Sequence, residues 1–370
     1  MASSRCQIFP RRGERAVSPL IRVQGSHAEV GTQIGVACRA AIRRVTTISA
    51  EQLPAGRSLG DQLALASKYR LATQELLPWL LTELDATADE AGVDRDILFA
   101  VSVEEIWPGR DTTARVPTPA FRGCTDLAAT SPATLGQRTL IGHNNDLPSS
   151  TQQDVSAIEW RVDGQPTVFS LGVGPWLSAA WNDTGLSITG NELAANDERI
   201  GVPRLLLMTA VTRASSLKEA QALAIHASRA SSYNWLLADA DGLVVELEGS
   251  ATAVAELRVD DRGLLHHENH YVDPSMHAFE RSAHHADRSN VRRERVSQLL
   301  SALEPGAVTP AHLRAILSDH ENAPESICRH AASEHDMETV FWAIADPKAR
   351  QVTYGLRPPC IPGAETYLFD

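Results

Sequence analysis

No stretch of the chain approaches the ~18 consecutive apolar residues that a membrane-spanning helix requires. The segment from Met1 to Arg15 holds no apolar core of signal-peptide length. Both absences lead us to expect a soluble, cytoplasmic protein with no membrane partner. Cysteine is scarce: five in 370 residues (Cys6, Cys38, Cys124, Cys328, Cys360), odd in number, scattered, and with no pair at zinc-ligand spacing. That excludes a disulfide framework and gives no sign of a structural metal, so neither metal nor cofactor is expected. Positive charge is in deficit. A net charge of −12 and a pI of about 5.5 argue against nucleic acid as a partner. Internal repeats and low-complexity tracts are also missing. What remains is 43% hydrophobic and 22% charged residues, an ordinary globular balance. The length permits one large or two ordinary domains with an ample core.

The first third reads as helical. A polar arm covers residues 1–20, and Leu20–Gly25 is a short strand. A helix from Ser26 or His27 to about Ile48 shows Val30, Ile34, Ala37 and Ile42 on one face. A longer pattern over 60–91 carries a stripe of Leu63, Leu65, Leu71, Leu76, Leu77, Leu80, Leu81 and Leu84 and closes at Gly92. Asp94 can cap a third helix over 95–106. After residue 123 the texture changes to short strand-like runs at 125–129, 139–144, 157–162, 167–172 and 186–189. Helices follow at 204–212 and 217–228, strands at 235–238, 243–247 and 254–259, helices at 285–303 and 310–320, and a closing hairpin over 339–355. Consecutive hairpins imply antiparallel sheets with helices packed on their outer faces, an α+β chain.

The chain turns on Gly123-Cys124-Thr125-Asp126, which follows a Pro/Thr/Arg-rich loop at 108–119. A glycine before a cysteine lets the thiol approach the preceding carbonyl and tolerates a strained backbone. We expect the chain to cut itself between Gly123 and Cys124. Cys124 then carries both a thiol nucleophile and an α-amine whose ordinary pKa, about 7.7–8.0, suits a base. The alternative is a core cysteine beside a turn glycine.

Four further polar stretches can serve that chemistry. Gly142-His143-Asn144-Asn145-Asp146 ends the next strand, and a hairpin returns Asp146 to the nucleophile; it can equally be a turn signal. Asn191 and Asn269 stand where side-chain amides can donate to an oxyanion, or cap local turns. His266-His267-Glu268-Asn269-His270 has the residue types of a metal site without the helical His-Glu-x-x-His spacing, and strand alternation divides it between two faces. Arg329, in Ser326-Ile327-Cys328-Arg329, can fix a carboxylate, lower a thiol pKa, or lie at the surface. Ser289 is read as a helix cap.

In this order the segments resemble the acyl-CoA:6-aminopenicillanic acid acyltransferase (isopenicillin N acyltransferase) family of N-terminal-nucleophile hydrolases. The resemblance rests on Gly123-Cys124-Thr125; Gly142, Asn144 and Asp146; Asn182 through Asn191; His267-Glu268-Asn269-His270; Ser289, Arg292 and Arg295; and Ser326-Ile327-Cys328-Arg329. It implies a four-layer αββα sandwich of two antiparallel sheets. It implies one domain built from an N-terminal chain, 1–123, and a catalytic chain, 124–370, which stay together as a heterodimer. It implies Cys124 as nucleophile, Asp146 as its orienter, Asn269 with Asn191 as oxyanion donors, and Arg329 as stabiliser of Asp146 or substrate. The expected reaction hydrolyses or transfers the acyl group of a small linear amide, with an acyl-CoA or an amine as the other partner. Asp126 and Glu268 depart from the family pattern. With Thr125 they are expected to bind substrate, and two carboxylates favour a cationic, amino-acyl or peptide-like amide. The rival readings are a metal-dependent hydrolase using the histidines of 266–270, and a catalytically silent binding relative.

Overall fold

The computed structural model describes residues 20–107, 123–333 and 336–370. The expected N-terminal arm, Cys6 and the loop at 108–119 lie outside them. Strand β1 (Ile21–Gly25) leads into α1 (His27–Ala37). Ser26 Oγ accepts from the Glu29 N–H while the Glu29 carboxylate accepts from the Ser26 N–H, a reciprocal cap that fixes where the helix begins. The single helix expected to Ile48 is two, since the chain breaks at Cys38 before α2 (Arg39–Glu51). The pattern over 60–91 also divides, into α3 (Leu59–Leu76) and α4 (Pro78–Ala91). Pro78 has no N–H to continue the ladder and takes the first helical position instead. Gly92 closes α4 with φ +69°, as expected. Asp94 caps α5 (Arg95–Val101). Of the leucine stripe, Leu77, Leu80 and Leu81 are buried, whereas Leu71 faces solvent.

The remaining elements are β2 (Gly123–Ala129), β3 (Leu140–Pro148), β4 (Val155–Val162), β5 (Val168–Val173), β6 (Trp176–Asn182), β7 (Ser187–Glu192), α6 (Arg204–Thr212), α7 (Leu217–Ala224), β8 (Tyr233–Ala238), β9 (Val244–Gly249), β10 (Val254–Leu257), β11 (Leu264–His267), α8 (Ala283–Ser301), α9 (Pro310–Leu317), β12 (Met337–Asp346), β13 (Gln351–Gly355) and β14 (Glu365–Leu368). Strands β6 and β14 have no counterpart in the sequence reading. Strand β6, Trp-Leu-Ser-Ala-Ala-Trp-Asn, is buried at every position, as are its neighbours β5 and β7.

Two sheets result. One has eight strands in the order β1-β4-β5-β6-β7-β8-β9-β10, the other six in the order β11-β2-β3-β12-β13-β14. Every neighbouring pair is antiparallel except β1 with β4, which is parallel, so the purely antiparallel expectation fails at that edge.

Three apolar clusters define the layers. The first packs helices against the eight-stranded sheet, with Ile34, Leu80 and Leu98 meeting Trp160, Leu205 and Trp235. The second lies between the sheets, where Phe169 stacks on Tyr367 at 4.2 Å. The third packs Val296, Leu313 and Leu317 of α8 and α9 onto Leu127, Leu140 and Trp342. Helix, sheet, sheet, helix is the αββα sandwich. The helical layer draws its core from both sides of Cys124, so the segment before Cys124 has no separate core of its own among the described residues.

Candidate active site

Strand β2 runs through Gly123 and Cys124 at the start of the six-stranded sheet and pairs with β3: Gly123 opposite Asp146, Cys124 opposite Asn145, Asp126 opposite His143. Alternation sends Ala128 and Ile141 into the core between the sheets and Leu127 and Leu140 toward α8 and α9. By the same alternation Cys124, Asp126, Asn145 and His143 face the other sheet, and Gly123, Thr125, Asn144 and Asp146 face the helices.

Cys124 is fully buried. Its backbone N–H donates to Asn269 Oδ1 at 2.9 Å, and Asn145 Nδ2 donates to its Sγ at 3.5 Å. The sequence reading assigned Asn145 no role, although it stands inside the quoted Gly-x-Asn-x-Asp run. Gly123 is extended rather than left-handed, so the expected backbone strain is not what requires glycine there. Space favours it: a Cβ at 123 would meet Asp146 Oδ2 at 3.0 Å and Arg329 Nη1 at 3.4 Å, so those side chains would have to give by a few tenths of an ångström.

Asp146 is buried on the helix-facing side. Thr339 donates to its Oδ1 at 2.7 Å, and Arg329 Nε lies 3.4 Å from Oδ2. Burial pushes its carboxyl above the ordinary range, against the pull of Arg329 and Arg292. Arg329 also binds Glu325 at 2.6 Å, and its own N–H donates to Thr339 Oγ1 at 2.9 Å. Arg292 donates to Asn269 Oδ1; burial, together with the neighbouring Arg329, lowers its pKa to about 10. Ser289 is not a cap, because Ser282 starts α8. Its hydroxyl instead accepts from the Asn269 N–H at 2.7 Å. The motif Ser289-x-x-Arg292 is thus one turn of α8 holding one asparagine, a role visible only when the helix docks.

Asn269 and Asn191 have different settings. Asn269 Nδ2 donates to the Glu192 carbonyl at 3.2 Å, while its Oδ1 holds the Cys124 nitrogen. Asn191 lies on β7, which packs against β2. Asn234 Nδ2 donates to Asn191 Oδ1 at 3.0 Å, which orients the amide and leaves Asn191 Nδ2 buried with no hydrogen-bond partner among the described residues.

The two extra carboxylates do not share a pocket. Asp126 Oδ1 meets His143 Nδ1 at 2.7 Å between the sheets, in the electrostatic reach of Glu246. Glu268 faces α8 instead, with His266 Nδ1 at 3.1 Å and Arg293 at 3.6 Å. Thr125 is buried on that same helix-facing side. The histidines of 266–270 are likewise dispersed. His266 bridges Glu268 and Ser297, His267 bridges Glu248 and the Glu268 carbonyl, and His270 meets Ser289. Among the described residues they form no group able to hold a metal ion.

His267 joins the two sheets through its 2.6 Å contact with Glu248. Burial alone would lower its pKa, but Glu246 and Glu248 outweigh burial and hold it at about 9; burial raises Glu246 to about 7. A histidine held above its ordinary 6.5 stabilises the fold fully below that value and loses the contribution as pH rises through about 9. The melting temperature is therefore expected to fall between pH 7 and 9, and to fall less in His267→Gln. Equal slopes in a pH series of thermal melts would remove His267 as the cause.

A family model for acyl-coenzyme A:6-aminopenicillanic acid acyl-transferase matches residues 134–359, more than half of the chain and starting after Cys124. No curated protein matches. Among solved structures the chain is distantly similar to a mutant conjugated bile acid hydrolase from Clostridium perfringens, with 12% identity over 67% of this chain and 97% of that one and a TM-score of 0.42. It is also similar to the N-acylethanolamine-hydrolyzing acid amidase ortholog of Caenorhabditis elegans (14%, 61% and 93%, TM-score 0.41) and to penicillin V acylase from Agrobacterium tumefaciens (11%, 65% and 84%, TM-score 0.37). Because the family model spans more than half of its residues, β3 through β13 included, this chain belongs to the acyl-coenzyme A:6-aminopenicillanic acid acyl-transferase family.

Proposed function

We propose that the chain is a self-processing cysteine amidohydrolase or acyltransferase that cuts its own Gly123–Cys124 bond and then uses Cys124 as an N-terminal nucleophile. The observation that carries this reading is the convergence on one peptide bond. The Cys124 nitrogen rests on Asn269 Oδ1, Asn145 addresses Sγ, and Gly123 lies against Asp146 and Arg329. In maturation Cys124 Sγ attacks the Gly123 carbonyl carbon. The C–S bond forms, the C–N bond breaks, and the thiol proton ends on the new α-amine. Water then adds to the thioester, the C–S bond breaks, and Gly123 leaves as a carboxylate.

In turnover the same thiol, with the α-amine as its base, attacks the substrate amide; water or an amine resolves the thioester. Asn269 holds the amine through Oδ1, so the oxyanion donor is Asn191, whose Nδ2 is buried and unpartnered. Asp146 and Arg329 fix the cut end.

The substrate side lies between the sheets. Asp126 Oδ2, Glu246 Oε2, His143 Nε2 and Asn145 Oδ1 are all buried there without a hydrogen-bond partner among the described residues. Such atoms cost about 1–3 kcal/mol each when left unpaired, so their grouping between the sheets, on the face that carries Cys124, supports a polar ligand site there. Its acidic members suit an amide bearing a cationic or strongly hydrogen-bonding group; the acyl acceptor is water, an amine or a CoA thiol. Among the described residues no helix is long and apolar enough to cross a membrane. With no disulfide among the described cysteines, a reducing, cytoplasmic setting fits.

Intact mass and N-terminal sequencing of the purified protein test the reading. Two fragments, 1–123 and a chain beginning at Cys124, are expected. A single uncut chain that nevertheless turns over amides would overturn it.

A further inference from the structure

We propose that the chain binds one zinc ion, remote in role from the Cys124 chemistry, through His320, Cys328, His330 and Cys360. The four donor atoms lie within 4.8 Å of one another. The Cys328 and Cys360 sulfurs are 3.8 Å apart, His320 Nε2 and His330 Nε2 are 3.1 Å apart, and His330 Nε2 is 3.7 Å from Cys328 Sγ and 3.2 Å from Cys360 Sγ. A tetrahedral zinc with bonds of about 2.3 Å to sulfur and about 2.0–2.1 Å to nitrogen has edges roughly 1.6 times as long: about 3.8 Å for S–S, 3.3 Å for N–N and 3.6 Å for S–N. The Cys328–Cys360, His320–His330 and His330–sulfur separations lie within about 0.4 Å of these edges, and His320 offers a nitrogen within 4.8 Å of both sulfurs. Two sulfurs at 3.8 Å are also well beyond the ~2.05 Å of a disulfide.

A second observation is how the ligands are held. Arg314 donates to the carbonyls of Pro359 and Ile361, on both sides of Cys360, and its guanidinium stacks on Trp342 at 4.5 Å. The Cys328 N–H donates to the Asp319 carbonyl at 2.9 Å, and Ser326 Oγ donates to the Cys328 carbonyl at 2.7 Å. Supports of this kind orient metal ligands from behind. Two thiolates and two neutral imidazoles suit zinc, closed and tetrahedral, so the site is structural. Binding releases the two thiol protons to solvent and leaves a neutral complex. Cys328 and His330 flank Arg329, so the ion would clamp both neighbours of the arginine that faces Asp146, and tie that loop to the one carrying Cys360.

The full-length protein, expressed with zinc in the medium and purified without chelator, is analysed for metal and then exchanged into cobalt(II). Roughly one zinc per chain is expected, together with the thiolate-to-cobalt charge-transfer and intense d–d bands of a tetrahedral site. Cys360→Ser and His320→Ala should each lose most of the zinc. The proposal is overturned by wild-type protein that takes up no zinc, or shows no thiolate-to-cobalt band; this holds even if the variants fail to fold. It is also overturned by variants that keep full zinc content, or by a non-reducing mass lighter by two hydrogens with Cys328 and Cys360 joined.

Discussion

Cys124→Ala is expected to leave one full-length chain and to lower kcat/KM at least about 10⁴-fold on any amide the wild-type enzyme turns over. The substitution removes Sγ and little else. The hydrogen bond to Asn269 comes from the backbone nitrogen, the pairing of β2 with β3 is unaffected, and Asp146 contacts Thr339 and Arg329 rather than the thiol. A melting temperature close to that of wild type should accompany the loss, which separates missing chemistry from a damaged fold. Without Sγ there is no atom to attack the Gly123 carbonyl, and without cleavage there is no α-amine to act as base, so both effects appear in one variant. Cys124→Ser keeps an attacking atom but a poorer nucleophile, and slow, partial cleavage is expected. Fragments from Cys124→Ala on a denaturing gel, or undiminished turnover, would sink the nucleophile assignment.

Arg204→Met is expected to destabilise the protein by about 3–5 kcal/mol, the usual result of removing one partner from a buried ion pair. Arg204 is 1% exposed. Its Nε donates to Glu104 at 2.8 Å and its Nη2 to Glu192 at 2.8 Å, and its guanidinium stacks on Tyr233 at 4.5 Å. Methionine fills similar volume but removes the guanidinium that sits between the buried Glu104 and Glu192 carboxylates. Glu104 lies before Cys124, and Arg204 and Glu192 after it. This cluster, with Arg213 on Glu83 and Arg44 on Asp154 at 2.6 Å, therefore joins the two chains that cleavage would produce. Urea unfolding should show the loss, and the cleaved variant should shed its N-terminal fragment earlier than wild type. Adding Glu104→Gln should recover part of the stability. A change under about 1 kcal/mol would mean that the carboxylates find other partners.

Much of this protein is written locally. Ser26 with Glu29, Asp94 and Gly92 set helix ends by contacts within a few residues, and short strand-like runs between turn residues announce most strands. The segments that make up the resemblance are read directly from the order Gly123-Cys124-Thr125, Asp146, Asn269, Arg329, since family motifs persist as sequence. Local reading misses β6, and it fails where proline divides a continuous apolar pattern, as at Pro78. It fails again where a side chain's partner is remote. Which carboxylate lies between the sheets follows from strand alternation and docking, which turn Asp126 inward and Glu268 toward α8. Ser289 reads as a cap until α8 is seen to begin at Ser282. Asn145 gains its place only through the register that sets it opposite Cys124. The clearest case is the group of His320, Cys328, His330 and Cys360. Local spacing rules find metal sites whose ligands share one turn or knuckle, whereas these are spread along the loop between α9 and β12 and reach the loop after β13. Only the packing of β12 and β13 beside α9 brings those loops to one point, because the sheet and helix layers, not the chain order, determine which distant residues meet.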